Sequence, residues 1–329
     1  MRLLAVPFLA LALTVLLVAP AVLADDDEDW GDGERHVDTD VRSDGFDMVS
    51  DRAEGAQRDR IRLSLEGSNV EFRFELLASS SSTEAEASLR IRLERVIEFE
   101  DRNGDGAFQA SDEVREGYRP HDLSLTDVSS ADVTSNGVPG VQVTASYSFR
   151  DAPNATLGFR ATAFGNVATF EDVGLKPVET KIDLLFGAFP YSESDTLPGV
   201  ELHIRSDKPR GPATVANGLT FRAGNLNATF GWKQAATVDG VDRPVRLTLT
   251  ENDIGANETE ADIAFAYARG STIVHDSTFG FSQSPVVQIP TTPTTVLGNP
   301  VFYTVGVLAA VAVFGSFAFA RMGRKAKGT

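Results

Sequence analysis

From Arg60 onward the chain alternates apolar and polar residues with a period of two. Ile61, Leu63 and Leu65 are separated by Arg62 and Ser64; beyond the turn Gly67-Ser68-Asn69, Val70, Phe72, Phe74 and Leu76 are separated by Glu71, Arg73 and Glu75. A period of two sends successive side chains to opposite faces, so the pattern predicts an antiparallel hairpin with one buried face. A polar loop over 79–83 leads to a strand over 85–99, and further strands are predicted over 123–128, 141–149 and 155–163, with Val143, Ala145, Tyr147 and Phe149 on one face. The same alternation returns at Ile182/Leu184/Phe186, Val200/Leu202/Ile204, Val245/Leu247/Leu249 and Ile263/Phe265/Tyr267. Thr220–Ala223 is a partner for Ala228–Trp232, Trp232 reads as core, and Ile273–Phe281 closes the series. Helical periodicity is absent outside the two terminal apolar segments. Short strands punctuated by Gly, Pro, Asn and Asp indicate an all-β fold of one or two antiparallel β-sandwich-like units. The boundary between two such units, 60–175 and 176–282, would fall at Lys176-Pro177; a single large sandwich is the alternative.

The ends of the chain follow different rules. Residues 1–24 carry a positive start, an apolar run and small residues before Asp25, which describes a cleavable secretory signal. Residues 25–59 open on Asp25-Asp26-Asp27-Glu28-Asp29 and hold few apolar residues, so an acidic disordered arm is expected. Residues 283–300, rich in Pro and Thr, read as an extended stalk. Residues 301–320 contain no charge and are long enough to cross a bilayer core of about 30 Å as a single transmembrane helix. Arg321, Arg324, Lys325 and Lys327 lie in a basic tail, 321–329, which the positive-inside bias puts in the cytoplasm. The expected topology is type I, with everything between signal and span outside the cell membrane.

Charge sharpens this picture. The whole chain is −17, and taking away Arg2 and the four cations of the tail leaves −22 on the exported part. Such a surface repels nucleic acid and anionic lipid and attracts cations. The chain has no cysteine, so its loops are held without disulfides.

One stretch carries a candidate chemistry. In the twelve residues from Asp101 to Asp112, oxygen-bearing side chains fall at positions 1, 3, 5, 9 and 12 (Asp101, Asn103, Asp105, Gln109, Asp112), with Gly106 at position 6. Calcium takes six to eight oxygens, so a short loop must curl several carboxylates and carbonyls about one point. Ala107 would add its backbone carbonyl, and Gly106 permits the turn. The stretch resembles the calcium loop of the EF-hand and dockerin families over these twelve residues. It departs from that pattern in having Asp112 where the EF-hand has a bidentate Glu, with Glu113 the alternative closing ligand. Its flanks show strand periodicity where a helix would enter. The plain alternative is an acidic Asn-Gly/Asp-Gly turn.

Three sequons, Asn154-Ala155-Thr156, Asn227-Ala228-Thr229 and Asn257-Glu258-Thr259, are candidate glycosylation acceptors, Asn227 lying within a strand. His36, His121, His203 and His275 are scattered without metal-ligand spacing, and His275-Asp276-Ser277 reads as a turn at a strand end. Nucleophile-elbow, phosphate-loop and dinucleotide signatures are missing, so no catalytic residue is assigned. The sequence thus predicts a membrane-anchored, calcium-binding β-rich surface protein acting in recognition, adhesion or envelope structure, with a cell-surface protein or glycan as partner. The rival readings are a membrane-anchored extracellular hydrolase and a small-ligand-binding module.

Overall fold

The computed structural model describes residues 35–281, except 55–56, 68, 80–83, 212–216, 224–225 and 256–257. The expected signal, stalk, span and basic tail lie outside the described residues, as does Asn257. No helix among the described residues is long and apolar enough to cross a membrane.

The chain is all-β. The first strands are β1 (Arg35–Arg42), β2 (Gly45–Glu54), β3 (Gln57–Glu66), β4 (Glu71–Ser79), β5 (Glu84–Glu100), β6 (Glu113–Tyr118) and β7 (Leu123–Ser135). They are followed by β8 (Val138–Phe149), β9 (Ala152–Phe164), β10 (Ala168–Phe170), β11 (Val173–Leu175), β12 (Glu179–Gly187) and β13 (Leu197–Ser206). The last are β14 (Gly218–Ala223), β15 (Leu226–Trp232), β16 (Ala235–Val238), β17 (Val241–Pro244), β18 (Arg246–Gly255), β19 (Glu258–Ala266) and β20 (Thr272–Phe281). One sheet has the order β1-β2-β3-β4-β5-β13-β19-β18, with β6 also paired to β5. The other has the order β14-β15-β20-β12-β9-β8-β7, with β16 paired to β20 and β17 to β16. All pairings are antiparallel, and β10 and β11 form a separate small hairpin.

The apolar faces predicted by alternation meet between these sheets. Phe72 and Phe74 of β4 pack on Phe159 of β9 and Phe279 of β20, with ring centroids 4.9 and 4.0 Å apart. Tyr147, Phe149, Leu157, Phe221, Ile263 and Phe281 are buried in the same core. Each such side chain removed from water contributes about 1.5–3 kcal/mol, which is what holds two sheets together without a disulfide. Trp232 is half-buried against this core, as expected from its place in β15.

Three expectations are corrected. Of the expected acidic arm, residues 25–34 lie outside the described residues, and the described residues from 35 to 59 are not disordered: β1, β2 and the start of β3 form the outer part of the first sheet. Phe46 and Met48 of β2 reach the core, and the charged residues pair across strands, Arg58 with Asp51 at 2.5 Å and Arg62 with Asp47 at 3.3 Å. The segment reads as polar because its inward apolar residues are few and its charges neutralise one another only once the strands are in register. The boundary at 176 is not a domain boundary either. β5 pairs with β13 and β9 with β12, so both sheets cross it, and one core contains residues from either side. Finally, His275-Asp276-Ser277 lies inside β20, paired to Leu184, Asp183 and Ile182 of β12, and is not a strand-end turn.

Candidate metal centre

The loop 101–112 joins β5 to β6 as the end of a hairpin whose register runs from Val96↔Tyr118 to Glu100↔Glu113. Gly104 and Gly106 adopt φ of +74° and +77°, a left-handed conformation that costs other residues about 1–2 kcal/mol. These two reversals let the loop fold its side-chain oxygens back onto its own amides. The Gly104 and Gly106 N–H groups donate to the two carboxylate oxygens of Asp101 at 2.8 and 2.7 Å. The Asp105 N–H donates to Asn103 Oδ1 at 3.0 Å, and the Ala107 N–H to Asp105 Oδ1 at 2.8 Å. Asp105 Oδ2 accepts the side-chain amides of Gln109 (2.6 Å) and Asn103 (3.1 Å). Asp112 accepts the N–H of Gln109 at 2.8 Å and that of Arg102 at 3.3 Å.

Two contacts fix the loop to the first sheet. Phe108 is buried with Phe99, Ile97, Ala264 and Ala266, its ring 5.2 Å from that of Phe99. Its backbone carbonyl accepts a 2.7 Å hydrogen bond from the Thr248 hydroxyl. Thr248 lies 140 positions along the chain from Phe108, so neither this contact nor the second small core on the far side of the sheet would be sought by sequence. The alternation of Ile97 and Phe99 on the long strand β5 is the one local signal of it.

The structure also bears on which residue closes the loop. Glu113 is bound by Arg102 and by Arg115, the latter at 2.5 Å, so it is committed to the hairpin stem. Asp112 forms no ion pair among the described residues and faces back into the loop. Asp101, Asn103, Asp105, Gln109 and Asp112 therefore belong to one network, with Ala107 contributing its N–H to it. Among the described residues, however, no group of three or more His, Cys, Asp or Glu side chains is gathered closely enough to hold a metal ion. The donor set is all oxygen, as a hard cation requires. Asp105 is its focus, and there the amides of Asn103 and Gln109 occupy the place of a counter-charge.

Compared with protein-family models and with curated proteins, the chain matches none.

Of the predicted acceptors, Asn154 is exposed where β9 loops out of register with β8, between Ala152 and Thr156. Asn227 is half-buried within β15 opposite Arg222. Of the histidines, His275 is the most informative. It is 3 % exposed; its Nε2 lies 2.8 Å from the Lys233 carbonyl, and its Nδ1 lies 3.0 Å from the Tyr267 hydroxyl. A carbonyl can only accept, so the neutral ring carries its proton on Nε2 and takes the tyrosine O–H at Nδ1. Burial pushes its pKa down to about 4. It is a packed core histidine.

The sharpest electrostatic feature elsewhere is Lys181. Its ammonium is fully buried beneath the β10–β11 hairpin and contacts Asp183, Glu171 (2.8 Å) and Asp276 (3.1 Å). Arg160 binds Asp183 at 2.6 Å, and Lys233 binds Asp276. Burial pushes the Asp183 carboxyl upward against the pull of Lys181 and Arg160. Glu98 shows the opposite balance. Burial pushes it up, but hydrogen bonds from Thr196, from Ser192 (2.8 and 2.7 Å) and from the Glu193 N–H (3.1 Å) hold it below the usual range. Both groups serve as internal fasteners.

Proposed function

We propose that this protein is a membrane-anchored, calcium-binding surface protein, with the β-structure as its external part, acting in recognition, adhesion or envelope structure. The observation that carries the metal assignment is electrostatic. Asp101, Asp105 and Asp112 share one short loop, and none of them has an ion-pair partner among the described residues, whereas neighbouring Glu100 and Glu113 are taken by Arg115 and Arg102. Backbone amides orient these three carboxylates without cancelling their charge. A divalent cation does cancel it, drawing Asp105 and Asp112 inward and replacing the amide N–H groups at Asp105 with the oxygens of Asn103 and Gln109. The −17 charge of the chain raises the local concentration of any such cation.

The rival readings have less support. A module that captures a lipid or another small apolar ligand between its sheets needs a void of roughly 300 Å³ or more. Here the inter-sheet cavity lined by Phe72, Phe74, Phe159, Phe265 and His275 holds about 40 Å³. A hydrolase needs a carboxyl raised in an accessible cleft. Asp183 is the carboxyl pushed upward here, and it is sealed from solvent.

Calorimetric titration of the purified protein tests the proposal. Calcium should bind with a Kd of roughly 10⁻⁴–10⁻³ M, as extracellular modules do. At ten times Kd it should add about 1.4 kcal/mol of stability, raising Tm by about 3–5 °C for a domain of this size. Equal melting temperatures in calcium and in chelator, together with a flat titration, reject it.

A further inference from the structure

The face of the first sheet that carries Phe108 also bears an open groove of about 760 Å³, a volume in the range of ligand-binding clefts. Its floor crosses β5, β13, β19 and β18, the segment Phe108–Ala110 forms one wall, and Arg119–His121, after β6, forms another. The charges in it follow a simple order. Arg92 is paired with Glu94 at 2.5 Å, Arg95 with Glu201 at 3.2 Å, and Asp262 with His203 at 2.8 Å. Glu94 and Glu201 are thus ion-paired with arginines, and Asp262 has a histidine as its hydrogen-bond partner. Arg119 lines the same groove, and its guanidinium forms no ion pair with a carboxylate among the described residues. Its backbone is held in place, because its N–H donates to Asp122 at 3.0 Å and Pro120 follows directly. The Arg119 guanidinium is thus open to a carboxylate from outside the chain, presented from a fixed base.

The remaining lining is mixed in a specific way. The Thr250 hydroxyl and the side-chain carbonyl oxygens of Asn69 and Gln109, whose amide nitrogens donate to Glu66 and Asp105, surround an apolar strip that includes Leu202 and Ala264. A sugar ring fits such a lining, since it carries hydroxyls at its edge and C–H groups on its face. An apolar ligand would strand the polar groups, at a cost of about 1–3 kcal/mol each.

We infer that this groove binds an acidic oligosaccharide, a uronate-type glycan whose carboxylate is held by Arg119 while its hydroxyls meet Thr250, Asn69 and Gln109. The inference rests on the recognition reading above for its biological sense, and its geometry does not require the metal. An Arg–carboxylate pair of this kind contributes enough that its loss weakens binding about tenfold or more.

The test is titration of the full-length protein in EDTA with tri-galacturonate, with maltotriose as the neutral comparison and hexaglutamate as the acidic peptide. Saturable binding of tri-galacturonate is expected, with maltotriose at least about tenfold weaker. Arg119→Ala should abolish that preference, and Arg205→Ala, at a surface arginine paired with Glu258 at 3.2 Å, should leave it unchanged. Absence of tri-galacturonate binding, equal binding of maltotriose, tighter binding of hexaglutamate, or indifference to Arg119→Ala each overturns the inference. So does saccharide binding that appears only when calcium is added, because the metal and not Arg119 would then hold the acid. Calcium titrated alone reports on the metal loop, so failure of either reading is seen separately.

Discussion

Two groups of carboxylates in this protein are handled in opposite ways. On the second sheet, Asp183, Asp276 and Glu171 surround Lys181, with Arg160 and Lys233 completing the balance, and the centre of the group has no access to water. On the first sheet, Asp101, Asp105 and Asp112 sit in a solvent-facing hairpin loop and are met by backbone and side-chain N–H groups, with no ion pair to them among the described residues. The first arrangement is complete within the chain. The second organises its oxygens and leaves their charge uncompensated. A sealed, balanced cluster is expensive to open and has nothing to gain from a ligand. An open, unbalanced one costs little by itself and gains from any cation that fits. The same residue types thus serve as a fastener in one place and a candidate site in the other, and the difference lies in where the counter-charge comes from.

The sharpest way to break this contrast is Lys181→Ala. It strands Asp183 and Asp276 beneath the β10–β11 hairpin and should cost about 3–5 kcal/mol in denaturant unfolding. A loss under about 1 kcal/mol would mean that the cluster is not a fastener. Next in size is Phe108→Ala, which removes the anchor of the metal loop. A loss of about 3 kcal/mol is expected, the low end for a buried Phe→Ala change because the cluster is small. Calcium-dependent protection against proteolysis of the loop should vanish with it. If that protection survives, the loop is organised without its anchor.

Acid should act on the closed side of the contrast. His275 neighbours Asp276 and is held neutral with a pKa near 4 in the folded state, against about 6.5 in the unfolded chain. Between these values the unfolded state binds more protons, so stability is intact above about pH 6.5 and falls as pH drops toward 4. The full effect is roughly 3 kcal/mol. Asp276, whose burial is outweighed by Lys233 and Lys181 so that its pKa is lowered, withdraws its contribution only at lower pH. Thermal melts from pH 7 to 4 check this, and a flat profile in His275→Gln against a sloping one in the parent assigns the slope. The smallest structural effect is expected at the loop itself. Asp105→Asn should change stability in EDTA by less than about 0.5 kcal/mol, as exposed substitutions do, yet remove the heat of calcium binding. A large loss without metal would make Asp105 a structural residue and move the loop into the same class as the Lys181 cluster.

Much of the fold was legible in the sequence wherever one strand face is apolar. The β3–β4 hairpin, the 85–99 strand and the inward set Val143, Ala145, Tyr147 and Phe149 follow from period-two alternation, because a residue on a pleated strand can face only two ways. The spacing of Asp101, Asn103, Asp105, Gln109 and Asp112 was likewise readable, since a twelve-residue loop keeps its chemistry local. The strands β1 and β2 were not readable, because Phe46 and Met48 are too few to mark a face. Their stability comes from cross-strand pairs such as Arg58–Asp51, which exist only after the register is set.

What the sequence determined by itself is therefore local: which segments extend, which faces are apolar, and where a loop concentrates oxygens. The tertiary structure decided everything that depends on partners distant in the chain. It joined β5 to β13 across the expected boundary, buried Lys181 and Glu98 that a strand pattern alone would turn to water, and seated Phe108 on β19. The physical reason is range. Side-chain alternation is set by the geometry of one strand, whereas the burial of a charge or the docking of a loop is set by whichever segment the fold lays over it.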